Sequence, residues 1–119
     1  MKVLLIAYES QADFRARGAE DADLRSRYWA GWQQYGQALK EAGVCLEMHG
    51  LQGPETASTV RGSESKRQVT AHAYTDTPDQ IGGYFVLEVG SQEEALQWAA
   101  RCPAAERGAV EIRPLLERP

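Results

Sequence analysis

Two histidines are the side chains of this sequence best suited to proton transfer near neutral pH. His72 lies four residues before Asp76, whose carboxylate could orient the imidazole if the intervening turn folds back. His49 ends an alternating segment in which Cys45, Glu47 and His49 are predicted to share one face. We therefore predict an acid/base site with His72, His49 and Asp76 as catalytic residues. The alternatives are solvated strand-end histidines or, ranked below catalysis, a metal site with a third carboxylate ligand.

Aromatic and basic side chains are candidates for binding a flat organic molecule. Tyr8 and Tyr74 are placed at strand ends, where they could stack on a ligand or form hydrogen bonds with it. Trp29 lies off the centre of the apolar stripe of a long helix, and Arg113 could hold a carboxylate or phenolate. We predict these four as substrate-binding residues, whereas most other aromatic residues of that helix are interpreted as core.

Composition excludes several classes of protein. The chain has 119 residues, enough for one domain spanning 1–119, and its net charge of -4 is distributed over mixed signs. That charge argues against a nucleic-acid partner and against an anionic membrane surface. The apolar run 3–7 is too short for a signal peptide, so we expect a cytoplasmic protein with reduced cysteines. The sequence carries no nucleotide or flavin signature, and we predict no cofactor.

The elements that must position these residues follow from periodicity and turn signals. Two helices are predicted, at 20–42 and Gln92–Arg101, the second beginning at a Ser-x-x-Glu capping box. Residues 10–18 are predicted to be irregular and 76–81 to form a helical turn. Four strands are predicted at 2–8, 44–51, 83–89 and 109–115. A hairpin is predicted from 56–61 and 66–73. This order indicates an α+β, ferredoxin-like βαββαβ protomer with an extra hairpin.

Alternation along the second hairpin strand predicts the orientation of His72. Val69, Ala71 and Ala73 would pack under the helices, whereas His72 and Tyr74 would face a cleft. The strand 2–8 is apolar on both faces, yet two helices can cover only one face of the sheet. We therefore predict a second copy packed sheet to sheet, which gives a homodimeric α/β-barrel.

Several stretches resemble the YCII-related family in its DGPF-domain branch: MKVLLIAYES, GLQGPETASTVR, IGGYFVLEVG and EEALQWAARCPAAERGAVEIRP. The resemblance implies a dimeric α/β-barrel with a cleft. In the wider group it implies a His–Asp acid/base pair, elimination of hydrogen halide in one relative, and genes encoded beside sigma factors. The namesake motif is replaced here by Ala71-His72-Ala73-Tyr74, and His49 stands where many members carry a glutamate.

Two functional hypotheses and one purely structural alternative follow from these features. The first is a small cofactor-free isomerase, lyase or cyclase acting on a hydrophobic cyclic or aromatic metabolite, with His72 as acid or base. The second is a non-catalytic small-molecule-binding or regulatory protein associated with sigma-factor signalling. The third is a purely structural dimer or interaction domain.

Overall fold

The computed structural model describes residues 1–118 and contains six strands and four helices within that range. Single 3-10 turns at Pro54–Thr56 and Glu64–Lys66 interrupt the long connection between β2 and β5. The strands are β1 Lys2–Glu9, β2 Cys45–Gly50, β3 Thr59–Arg61, β4 Gln68–Thr70, β5 Gln80–Glu88 and β6 Ala109–Pro114. The helices are α1 Gln11–Ala16, α2 Ala22–Glu41, α3 Gln92–Arg101 and α4 Ala104–Arg107.

The main sheet is antiparallel and has the strand order β2-β5-β1-β6. This is the order of a ferredoxin-like βαββαβ unit, and the predicted α+β fold is confirmed. The extra hairpin is also present, because β3 and β4 pair only with each other and form a separate two-stranded sheet. Pro119, the last residue of the predicted domain, lies outside the described residues.

The helices pack on one face of the sheet, which we call the helix face. On β1 it is formed by Val3, Leu5, Ala7 and Glu9, all buried. Aromatic side chains bring the two long helices together there: the Tyr35 hydroxyl donates a 2.8 Å hydrogen bond to the Trp98 carbonyl. Because that carbonyl lies in the last turn of α3, the bond satisfies an acceptor that the helix itself leaves free.

The ends of the long helices obey local capping rules. The Asp21 carboxylate accepts hydrogen bonds from the backbone of Asp23 and Leu24, at 3.0 and 3.3 Å, so α2 begins slightly later than predicted. It ends before Gly43, whose φ of 70° is a conformation that glycine adopts at little cost. The predicted bounds of α3 are confirmed, and the Ser91 hydroxyl accepts its hydrogen bond from the backbone of Glu94.

The segment after β1 differs from its predicted irregular structure. Residues 11–16 form α1, with Ser10 as N-cap. A helix of six residues is too short for an apolar period to be visible in sequence, and its stability comes from tertiary contacts. The principal contact is an ion pair with a buried carboxylate and an exposed guanidinium, in which Arg107 donates to one oxygen of Asp13 at 2.9 and 2.5 Å.

The hairpin segment contradicts the predicted packing of its second strand. Strand β4 ends at Thr70, and the Val69 side chain is 64% exposed, so the small apolar set does not lie under the helices. Tertiary structure overrides the alternation because this hairpin is not part of the main sheet. Residues 76–81 also form no helical turn; β5 already begins at Gln80. The Gln80 amide instead donates to the Thr75 and Thr77 carbonyls at 2.7 and 3.0 Å.

In the described part of the chain, no helix packs on the second face of the sheet, which we call the open face. Its central side chains are apolar or aromatic and half-buried: Leu4, Ile6, Tyr8, Tyr84 and Val86. The radius of gyration of 16.1 Å exceeds the value of about 13.5 Å expected for a compact chain of this length. No helix among residues 1–118 combines the length and apolar character that crossing a membrane requires.

Candidate functional site

A cavity of about 630 Å³, which we call the first or aromatic cavity, lies on the helix face between the sheet and helices α1 and α2. Its walls are mainly aromatic: Phe14, Tyr28, Trp29, Trp32 and Phe85. The Trp32 and Phe85 rings stack at 6.0 Å between centroids, with 10° between their planes. The volume and the apolar walls are typical of small-molecule sites.

Glu9 is the polar centre of this cavity. It occupies the last helix-face position of β1 and is only 1% exposed. Arg17 donates from Nη2 to Glu9 Oε2 at 2.5 Å, and the Tyr28 hydroxyl donates to Glu9 Oε1. Arg17 Nε also donates to the Tyr28 hydroxyl at 2.9 Å, which closes a ring of three side chains. A buried carboxylate needs such partners because burial without them is costly.

Protonation states within this triad follow from its contacts. Burial and the hydrogen bond to Glu9 raise the pKa of Tyr28 well above its ordinary value, so the side chain remains a phenol that donates. Burial opposes the charge on Arg17, but the Tyr28 hydrogen bond and the Glu9 charge outweigh it and raise the Arg17 pKa. The triad is therefore a carboxylate held between a permanent cation and a neutral donor.

Gly82 leaves the space that Glu9 and Arg17 occupy. The β1–β5 register shifts between Ala7 and Tyr8, so Gly82 is the extra residue of a β-bulge. A Cβ atom at position 82 would overlap Glu9 Oε2 and lie 2.9 Å from Arg17 Nη2. The Gly82 carbonyl in turn accepts from Arg17 Nη2 at 3.1 Å. The bulge thus forms the backbone side of the site.

Helix α1 brings Phe14 and Arg17 into the cavity, and the Asp13–Arg107 pair fixes that helix against α4. The Arg17 guanidinium lies 4.7 Å from the centre of the Phe14 ring, a distance at which a cation and an aromatic face attract each other. Arg17 Nη1 also donates to the Leu51 carbonyl. The site is therefore assembled from segments that are distant in sequence.

Of the predicted binding residues, Trp29 lies in the wall of this cavity. Its indole Nε1 donates to the Arg17 carbonyl at 2.9 Å, which ties α2 to the end of α1. Tyr8 and Arg113 instead lie on the open face, away from the cavity. The Arg113 guanidinium is paired with Glu111 at 2.7 Å on the same strand.

His49 borders the cavity, but strand alternation directs its imidazole to the open face. There its ring is 5.5 Å from the Tyr84 ring, and Nε2 is 3.1 Å from Glu47 Oε1. The prediction that Cys45 shares this face is wrong, because a register shift between Cys45 and Glu47 turns Cys45 towards the core. The His49 side chain thus belongs to an open-face cluster with Glu47 and Tyr84.

His72, Tyr74 and Asp76 lie together in the loop after β4 and border a second cavity of about 590 Å³. His72 is beyond the end of β4, so the alternation used to orient it does not apply. His72 and Asp76 share this cavity, whereas the His49 side chain is on another surface. Among residues 1–118, no group of three or more His, Cys, Asp or Glu side chains is arranged to hold a metal ion.

Sequence reasoning missed Glu9, Arg17 and Tyr28 as site residues. One signal was available for Glu9. It follows Val3, Leu5 and Ala7 in the alternation of side chains along β1, so it is placed on the same sheet face as they are. A carboxylate at a position that alternation assigns to the core is unusual and points to a buried partner. Nothing local identified Arg17, because it comes from the segment predicted to be irregular.

Replacing Gly82 with alanine tests the close packing beneath the triad. We expect Gly82→Ala to lower the free energy of unfolding by about 1–3 kcal/mol, since the new methyl group must displace Glu9 or Arg17. Gly18→Ala is the matched control, because a Cβ at position 18 meets nothing within 4 Å. Urea unfolding measures both variants. Equal stabilities would contradict the proposed packing.

The raised Tyr28 pKa predicts a dependence of stability on alkaline pH. Tyr28→Phe should cost about 1–3 kcal/mol at neutral pH, because the phenol's hydrogen bond to a buried carboxylate is lost. The protonated phenol is favoured in the native state, so this contribution is complete below pH of about 10 and declines as pH rises towards the native pKa. Urea titrations at pH 7–11 measure it. The exposed Tyr74→Phe is the control, and a contribution that grew above pH 10 would contradict the assignment.

Comparison with known proteins identifies a family and a solved structure that this chain resembles. A model of the YCII-related domain matches residues 1–118. Among solved structures, 5-chloro-2-hydroxyhydroquinone dehydrochlorinase from Burkholderia phenoliruptrix AC1100, in complex with 2,5-dihydroxybenzoquinone, is similar with a TM-score of 0.58 and 16% identity. The similarity covers 99% of this chain and 96% of that one, and at this identity it shows the fold alone. No curated protein matches the chain in sequence. The family model spans both the triad and the second cavity, and the chain belongs to the YCII-related family.

Proposed function

We propose that this protein is a small cofactor-free enzyme that performs acid/base chemistry on a hydrophobic cyclic or aromatic metabolite. The observation that carries the proposal is the almost completely buried Glu9 carboxylate in a cavity walled by aromatic rings. A carboxylate in such a place is costly to maintain unless it is used or fully compensated. Ionisable groups in apolar clefts are frequent at catalytic sites.

Glu9 is the proposed base. Each of its oxygens accepts one hydrogen bond within the triad, and a carboxylate has about four acceptor positions, so capacity remains for a ligand proton. Tyr28 and Arg17 hold the carboxylate in one orientation. The Arg17 charge would also stabilise negative charge that develops on a ring oxygen as the proton leaves carbon.

The aromatic walls support a flat ligand. A planar ring could stack against Trp29 or Trp32 and place a ring proton or hydroxyl towards Glu9. The structural relative is a dehydrochlorinase seen with a dihydroxybenzoquinone, which is consistent with a cyclic oxygenated ligand in this fold. Isomerisation, elimination and cyclisation all begin with such a proton transfer, and the proposal covers these three reaction types.

The catalytic roles predicted for His72, His49 and Asp76 remain hypotheses. The side chains of these three residues lie outside the Glu9 triad. The His49 imidazole is on the open face and would face a partner copy if the sheet is covered. His72 and Asp76 border the second cavity, where they could act on another part of a ligand. Glu9 takes precedence as the base because it is buried and held by two partners, whereas both histidines are exposed.

Binding without turnover is a second candidate, and one observation favours it. Both Glu9 oxygens are already engaged by partners in the same protomer, which is also how a purely structural buried carboxylate would appear. A ligand-binding or regulatory protein would use the same aromatic cavity. The two candidates differ in whether removal of the Glu9 charge affects chemistry more than affinity.

A homodimer packed through the open face is also proposed. That face exposes a continuous apolar centre on the two middle strands, including Ile6 and Val86. If two copies pack open face to open face, related by a two-fold axis, each copy covers the open face of the other. The assignment to the DGPF branch, with its motif replaced at positions 71–74, is likewise a proposal supported by the matching stretches elsewhere in the sequence.

Glu9→Gln separates catalysis from binding. We expect proton exchange into D₂O from ring carbons of hydroxylated benzenes and cyclic enones, followed by NMR, to fall by about 10²-fold or more. Affinity for the same compounds, measured by tryptophan fluorescence, should change much less. Glu93→Gln, at an exposed carboxylate of α3, is the matched control. Thermal unfolding checks that Glu9→Gln remains folded.

Three results would argue against Glu9 as the base. Exchange at the wild-type rate in a folded Glu9→Gln variant would exclude it. Exchange lost in His72→Ala but retained in Glu9→Gln would move catalysis to the second cavity. Ligand binding with no exchange of any compound would favour the binding protein.

Ile6→Glu tests the dimer. Light scattering after size exclusion should give twice the 13.2 kDa of one chain for the wild type and one chain for the variant. Leu96→Glu introduces the same charge at an exposed leucine of α3 and should leave the dimer intact. A monomeric wild type would contradict the proposal.

A further inference from the structure

The second cavity adjoins the first. Phe14 of α1 and Glu55 border both cavities, so the two spaces meet at these side chains. Beyond Phe14, the second cavity is lined by polar residues of α1 and by the loop that follows β4. The first cavity is mainly aromatic, so the pair offers an apolar compartment beside a more polar one.

His72 is held in a defined state at the edge of the second cavity. The Thr59 hydroxyl donates to the His72 carbonyl at 2.7 Å, which fixes the backbone. The ring Nδ1 is 2.9 Å from the Ala73 carbonyl, and a carbonyl only accepts, so Nδ1 carries the proton. In the neutral ring, Nε2 is then left as a hydrogen-bond acceptor.

The charged groups of this cavity favour a ligand that donates hydrogen bonds. Asp76 and Glu55 contribute carboxylates, and Arg15 contributes one guanidinium. The two carboxylates outnumber the single guanidinium, and the backbone carbonyls of the loop add further acceptors. A carboxylate on the ligand would therefore be repelled, whereas a hydroxyl, an amide N–H or an ammonium group would be attracted.

The loop is exposed but internally fixed. The Gln80 amide ties the Thr75 and Thr77 carbonyls together, and the Thr77 hydroxyl donates to the Asp79 carbonyl at 2.8 Å. These bonds define the shape of the loop on the side that faces α1. The second cavity is thus bordered by residues whose backbone positions are set before a ligand binds.

We infer that the second cavity binds a polar tail of the same ligand whose ring occupies the aromatic cavity, and that this tail is neutral or cationic and rich in hydrogen-bond donors. The inference rests on the proposed function for the position of the ring. It assigns His72 and Asp76 to recognition of the tail, and Glu55 and Phe14 to the boundary between ring and tail.

Four para-substituted phenols of similar size test the inference: 4-propylphenol, tyrosol, tyramine and 4-hydroxyphenylacetate. Their affinities are measured by NMR titration of the ¹⁵N-labelled full chain. All four should shift amide signals of the aromatic cavity, including Leu51 and Gly82. Tyrosol and tyramine should also shift the amides of Tyr74 to Thr77 and bind about 2- to 10-fold more tightly than 4-hydroxyphenylacetate.

Variants assign the effect to the second cavity. His72→Ala should weaken tyrosol about 2- to 10-fold, and Asp76→Asn should weaken tyramine by a similar factor. Neither change should alter the affinity of 4-propylphenol. Gln68→Ala, on the exposed strand β4, is the control and should affect none of the probes.

The outcomes distinguish the tail site from the proposed function. Shifts confined to the aromatic cavity for all four phenols, or equal effects of His72→Ala on tyrosol and 4-propylphenol, would overturn the tail site and leave the ring site standing. Tighter binding of 4-hydroxyphenylacetate than of tyramine would overturn its charge preference. Absence of shifts around Leu51 and Gly82 with every probe would overturn both. Normal tail recognition with no role for Glu9 in exchange would overturn Glu9 as the base and leave the tail site standing.

Discussion

Burial of the Glu9 carboxylate is the constraint around which this end of the molecule is built. A charge that is 1% exposed requires compensation at close range, and Arg17 and Tyr28 supply it from two different helices. Arg17 can reach Glu9 because α1 follows β1 directly and Arg17 is the C-cap residue of this short helix. Tyr28 reaches it because α2 crosses the same end of the sheet. Glu9 therefore links the strand, both helices and the Gly82 bulge.

A second ion pair, of which only the carboxylate is buried, supports the first. Asp13 and Arg107 join α1 to α4 near the other end of the chain, and α1 is otherwise a helix of only six residues. A short helix has little stability of its own, so its orientation depends on such contacts. Phe14 and Arg17 follow the orientation of α1, and they form one side of the aromatic cavity. The cavity thus depends on contacts between residues that are far apart in sequence.

The two faces of the sheet have different roles. The helix face contains the core and, at its end, the carboxylate triad. The open face carries a half-buried apolar centre with an edge cluster of His49, Glu47 and Tyr84. Because one strand supplies both faces, residues adjacent in sequence serve different surfaces. Tyr8 on the open face and Glu9 on the helix face are the clearest example.

Periodicity and capping signals were enough to predict the α+β fold, the two long helices and the four strands of the main sheet. These signals are local, and burial of one helix stripe and one sheet face makes them visible in sequence. They failed where tertiary contacts replaced local preference. The α1 helix was missed for this reason, and His72 was given an orientation from a strand that ends before it.

The sequence by itself determined the class of fold, an uncovered sheet face, and a set of aromatic and ionisable residues suited to a small organic ligand. Only the tertiary structure decided which of these residues meet. It joined Glu9, Arg17 and Tyr28, placed Trp29 beside them, and separated His49 from His72. The physical reason is that a buried charge selects its partners by distance in space, across chain separations that local patterns do not encode.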